Sequence, residues 1–126
     1  MTPFTDPELE TRYQIHMKNI LPDNLSPSGF NCSNTDFKRI DEDKIIMCMK
    51  WLSENAKTTP KINPLYSSYL LKHVIERYVG EYIPNGALIA CAIIMGYQYE
   101  LTHSGVNARF NMHVNKNVIE AVGRII

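Results

Sequence analysis

The sequence predicts an α+β fold, mostly helical, with a β-hairpin in its C-terminal half. Apolar residues recur at helical spacing within 9–20, 45–56 and 70–78, and a run that is apolar on every side fills 87–94. Two stretches of period-two alternation, 97–101 and 109–114, flank the turn formers Thr102 to Asn107. The 126 residues fit a single domain. Within it, residues 1–60 read as an N-terminal helical part with a loop at 22–40, and residues 61–126 as a helix-helix-hairpin-helix block.

A first helix is expected from Thr5 or Asp6, because Thr5 and Glu8 have capping-box spacing and Pro7 suits a first turn. Leu9, Tyr13, His16, Met17 and Ile20 share one face, and Pro22 ends the pattern. Residues 22–40 are rich in Pro, Gly, Asn and Ser, and read as a loop that is either a binding element or mobile. The second helix is expected near Asp41, where Asp41, Glu42 and Asp43 complement the positive end of a helix dipole. Ile45, Cys48, Met49, Leu52 and Ala56 form its apolar stripe. Trp51 lies off that stripe, for a second contact or partial exposure. Residues 57–64, KTTPKINP, read as a linker.

The third helix is expected to follow Asn63 as cap, with Pro64 first, Leu70, Leu71, Val74, Ile75 and Tyr78 inward, and Gly80 as a left-handed stop. Asn85 is the expected cap of a fourth helix, Gly86 to Met95, which is too short to cross a bilayer and therefore reads as a central core helix ended by Gly96. The hairpin pairs the run ending at Leu101 with the run ending at Val114. A last helix, Lys116 to Ile126, places Val118, Ile119, Val122, Ile125 and Ile126 on one side.

Composition excludes several function classes. Thirteen basic and thirteen acidic residues leave no net charge, which removes any whole-chain attraction to nucleic acid or to a membrane surface. The 44% hydrophobic content suffices for a core, against disorder. Cys32, Cys48 and Cys91 contain no C-x-x-C pair and read as free structural thiols in a reducing cytoplasm. The acidic N-terminus has no apolar core and does not read as a signal peptide, so the sequons at Asn24 and Asn31 are chance matches. His16, His103 and His113 lack the spacing of a metal site, and no cofactor motif is present.

The polar side chains worth weighing cluster on the third helix. Tyr69, His73 and Arg77 follow at intervals of four, with Glu76 three beyond His73 and Lys72 beside it. A histidine among a carboxylate, a phenol and a guanidinium has the makings of a general base, but no nucleophile or metal partner is spaced to join it, so a contact role is the expectation. Ser67 and Ser68 are expected to bond to backbone. The six tyrosines between Tyr66 and Tyr99 divide between core and binding surface. The order helix, helix, hairpin invites comparison with a winged helix, yet the fourth helix offers no Arg, Lys or Gln to base edges. Nucleic acid would have to be held by Lys72, Arg77, Arg109 and Lys116, enough only for weak, salt-sensitive binding.

The pattern SSY-x-LKH-x-x-E, Y-x-x-NG-x-x-I-x-x-A, GY and N-x-x-FN resembles a group of small uncharacterised proteins of bacterial phages, plasmids and integrative elements. It falls on Ser67 to Glu76, Tyr82 to Ala92, Gly96-Tyr97 and Asn107 to Asn111. Leu70 stands where that group usually has glycine. The resemblance implies a mobile-element setting, and by analogy a stoichiometric inhibitor or modulator of a host defence assembly, as anti-CRISPR proteins are. The expectation is thus a cytoplasmic interaction protein, not an enzyme, without cofactor, metal or membrane anchor. Its partner is a host or element-encoded protein, held through Tyr69, Lys72, His73, Glu76, Arg77 and Arg109. A small DNA-binding regulator is the second reading and an enzyme using His73 the third.

Overall fold

The computed structural model describes residues 7, 21–32, 40–115 and 117. Apart from Pro7 and Asn117, the helices expected at 5–20 and 116–126 lie outside the described residues, as do 33–39. The fold is α+β. Strands β1 (Leu25–Ser26) and β2 (Gly29–Phe30) precede helix α1 (Glu42–Asn55) and strand β3 (Ala56–Thr58). Helices α2 (Ser68–Val79) and α3 (Asn85–Ile94) follow, then strands β4 (Tyr99–Leu101), β5 (Ala108–Phe110) and β6 (Met112–Val114).

Asp41 starts α1 as expected, its carboxylate accepting the Asp43 N–H at 2.9 Å. Ile45, Cys48, Met49 and Leu52 are buried and Ala56 half-buried. Trp51 takes the second-contact option: it is buried, with its ring 5.9 Å from that of Tyr78. Helix α3 is the central element, packed against both α1 and α2, and every residue from Asn85 to Ala92 is buried. Apolar burial on all sides is what an all-apolar helix requires.

The start of α2 differs from expectation. Asn63 turns the chain locally, its Oδ1 accepting the Leu65 N–H and its Nδ2 donating to the Met112 carbonyl. With that side chain committed, the helix begins four residues later, capped by Ser67 Oγ, which accepts the Leu70 N–H. Gly80 closes it in the left-handed conformation, φ 76°. Leu71, Val74 and Ile75 face inward as read, but Leu70 is half-buried and Tyr78 is 53% exposed.

Asn85 does not cap α3. Pro84 occupies that position, and Asn85, itself buried, donates to the Ser28 carbonyl and to Asn107 Oδ1. The turn between β1 and β2 presses onto this helix end: the Gly86 N–H donates to the Pro27 carbonyl at 2.8 Å, and a Cβ on Gly86 would collide with the Ser26 carbonyl. The stretch at 22–40 thus contains a small hairpin docked on α3. Nor is 57–64 a free linker: β3 pairs with β6, and the N–H groups of Thr59 and Asn63 donate to Asn111 and Phe110.

The C-terminal hairpin is present, with a shorter pairing than expected. Strand β4 pairs only with β5, Tyr99 opposite Phe110 and Leu101 opposite Ala108. Strand β6 turns to β3 instead, Thr58 opposite Met112 and Ala56 opposite Val114. Asn111 makes the change of partner. On one side its N–H donates to the Gln98 carbonyl and its Oδ1 accepts the Gln98 N–H, at 3.2 and 2.7 Å. On the other its carbonyl accepts the Thr59 N–H and its Nδ2 donates to the Thr59 carbonyl, at 2.9 and 3.1 Å. The side-chain amide duplicates the backbone amide, so one residue pairs on both edges with nothing left unsatisfied.

Candidate functional site

Helix α2 carries a polar cluster on its outer side. Positions 69, 72, 73 and 76 are three and four apart, so their side chains meet on one face. Lys72 Nζ donates to Glu76 Oε1 at 2.8 Å, and His73 Nδ1 lies 3.1 Å from Glu76 Oε2. The turn at Gly80 brings the chain back over this face, so that the Ile83 N–H also donates to Glu76 Oε1, at 3.0 Å. It also lays Tyr82 across Lys72: the ammonium is 4.6 Å from the Tyr82 ring centroid and 5.7 Å from that of Tyr69. The Tyr69 ring meets the His73 imidazole edge-on at 4.5 Å.

Partial burial pushes the Glu76 carboxyl up, but hydrogen bonds from Lys72 and the Ile83 N–H, with the charges of Lys72 and His73, outweigh it. They hold the group below the ordinary carboxylate range. Glu76 is therefore a fixed anion that organises the face. Lys72 is only 6% exposed, and its ammonium is covered by aromatic rings. The exposed surface above is aromatic: Tyr69 is 51% and Tyr82 67% exposed.

Of the residues expected from the sequence, Tyr69, Lys72, His73 and Glu76 come together. Lys72 contributes from beneath the two rings and is itself buried. Arg77 is exposed one turn beyond His73 and forms no ion pair among the described residues. Arg109 stands apart on β5, across from Glu100, and joins none of the cluster's hydrogen bonds. Sequence reasoning counted Tyr82 among the tyrosines divided between core and binding surface but not among the partner-binding residues; the turn at Gly80 is what returns it to the helix it has just left.

Among the described residues His73 Nε2 is buried without a hydrogen-bond partner, and Ser68 Oγ accepts the Ala108 N–H at 3.1 Å. Among the described residues no group of three or more His, Cys, Asp or Glu is placed to hold a metal. The three cysteines are unpaired; burial pushes the Cys48 thiol up to about 12 and raises that of Cys91 well above its ordinary value. A concavity of about 620 Å³ opens at the end of α1 between Glu54, Lys57, His113 and Asn115. Its hydroxyl, Ser53 Oγ, is committed to the Lys50 carbonyl at 2.8 Å.

No family model, curated protein or solved structure matches this chain. Several of the residues singled out in the sequence fall into two sets. Ser67, Ser68, Asn85, Gly86, Asn107, Phe110 and Asn111 hold the architecture: a cap, three interelement bonds, a close approach, a core ring and the strand crossover. Tyr69, Lys72, His73, Glu76 and Tyr82 form the α2 face.

Proposed function

We propose that this chain is a non-enzymatic interaction protein, which binds a protein partner through the outer face of α2. Its setting is a bacterial mobile element and its partner a host defence assembly, which it inhibits or modulates by stoichiometric binding in the cytoplasm. The observation that carries the interaction reading is the pair Tyr69 and Tyr82, both more than half exposed yet held by one buried ammonium. Rigid tyrosines supply large contact area at little entropic cost, as at protein interfaces. The mobile-element setting rests on the resemblance alone. No helix among the described residues is long and apolar enough to cross a membrane.

The test is a phage-plating assay in bacteria with an active defence system and expressing the chain. Plating efficiency is expected to rise. The rise should vanish in the variant carrying Tyr69→Ala and Tyr82→Ala, provided its thermal midpoint stays near wild type. His73→Gln should weaken the effect in proportion to partner affinity and abolish no turnover. A double tyrosine variant as protective as wild type would remove the α2 face from the mechanism. A reaction catalysed by wild type and lost by more than about a hundredfold in His73→Gln would make the protein an enzyme.

A further inference from the structure

We propose that the α2 face takes a carboxylate-bearing protein segment, and that Lys72 sets this preference from beneath as a positioning residue. The inference rests on the reading of that face as an interaction surface, and adds what the partner must present.

Tyrosine rings ordinarily attract cations through their faces. Here that capacity is already used. Lys72 Nζ lies within 4.6 Å of one ring centroid and 5.7 Å of the other, so a partner's lysine or arginine would approach a like charge. The anion that might have received such a cation is also used: Glu76 Oε1 accepts from Lys72 and the Ile83 N–H, and Oε2 faces His73. At the end of α2, Lys44 and Glu81 pair with each other at 3.3 Å. Among the described residues Arg77 has no ion-pair partner, and it is exposed on the same stripe as Tyr69 and His73.

What the face offers outward is therefore donors. The phenols of Tyr69 and Tyr82 stand on exposed side chains, and the exposed Arg77 adds a guanidinium fork. Carboxylates accept from both kinds of group, and bidentately from arginine. Phosphate chains are anionic too, but one exposed arginine is too little for the counterion release that drives nucleic-acid binding. The exposed side chain of Leu65, at the approach to α2, also suits an apolar protein contact.

The test titrates the isotope-labelled full chain with three peptides of equal length, in which leucine alternates with Glu, Gln or Lys, and with oligothymidylate. The Glu peptide alone is expected to shift the amides of Tyr69, His73, Arg77 and Tyr82. Arg77→Ala should weaken it roughly two- to fivefold, the effect of an exposed ion pair, and high salt should weaken it further. A variant with Lys72→Met and Glu76→Gln removes the ion pair as a unit and leaves an uncharged side chain beneath the rings; its preference should swing toward the Lys peptide. The proposal is overturned if the Lys peptide binds wild type as well as the Glu peptide, if oligothymidylate binds tightest, if no probe perturbs the face, or if the double variant keeps the wild-type preference. Should no probe bind while the tyrosine variant still loses phage protection, the carboxylate preference fails and the interaction surface stands. Should the Glu peptide bind as described while that variant protects fully, the preference stands and the cellular role of the face fails.

Discussion

Asn111 pairs with Gln98 on one side and Thr59 on the other, and is 6% exposed. Asn111→Asp keeps the shape but sets a carboxylate oxygen against the Thr59 carbonyl, where a donor stood. We expect both Asn111→Asp and Asn111→Ala to cost about 1–3 kcal/mol in urea denaturation, because buried backbone groups lose their partners. A midpoint unchanged in both would show that the side chain is dispensable. Glu76 gives a pH prediction. Its folded-state carboxyl lies below the ordinary range, so its contribution to stability is complete above the unfolded value and is lost as pH falls through the folded one. The acid limb of the stability curve should therefore flatten in Glu76→Gln, and equal limbs would refute the assignment. Neither role is visible in sequence, since an asparagine after a phenylalanine and a glutamate four after a lysine are both commonplace. The glutamate was legible as a neighbour of His73, and its bond to the Ile83 N–H was not, because it depends on how the chain returns after Gly80.

Among the elements, α3 was the most legible, because a helix apolar on all sides has no place but the interior. Ile89 is fully buried and Ile93 only partly. Ile89→Ala should cost roughly 2–5 kcal/mol through lost burial and the cavity left, and Ile93→Ala measurably less. Equal losses by calorimetry would mean that the two faces of α3 are packed alike. The start of α2 was misread because Asn63 and Ser67 are both good caps, and the choice was made by Met112, which engages the Asn63 amide from a distant strand. The strands were legible as alternation but not as pairing. Residues 108–114 show one period-two pattern, yet change partner at Asn111, and β3, with the sequence Ala-Lys-Thr, has no pattern of its own. Three-residue strands carry too little local signal to select a partner, so tertiary context decides.

For the molecule as a whole, balanced charge and a buried α3 bear on the nucleic-acid reading. The helix that a winged-helix protein would insert in the major groove is enclosed here, Lys72 is covered, and Lys116 lies outside the described residues. We expect no sequence-specific duplex binding tighter than roughly micromolar at physiological salt, against the nanomolar affinities usual for regulators. Fluorescence anisotropy with promoter fragments checks this; tight, salt-tolerant binding lost in Arg109→Ala would restore the DNA-binding reading. The two ribbons, β3–β6 and β4–β5, are built on the consecutive strands β5 and β6 and meet at Asn111, which bonds to both. They should thus open as one unit: in native-state hydrogen exchange the amides of β3 and β4 are expected to share an opening free energy within about 1 kcal/mol. Asn111 is then a rivet through two hinges, and wear at either one loosens both.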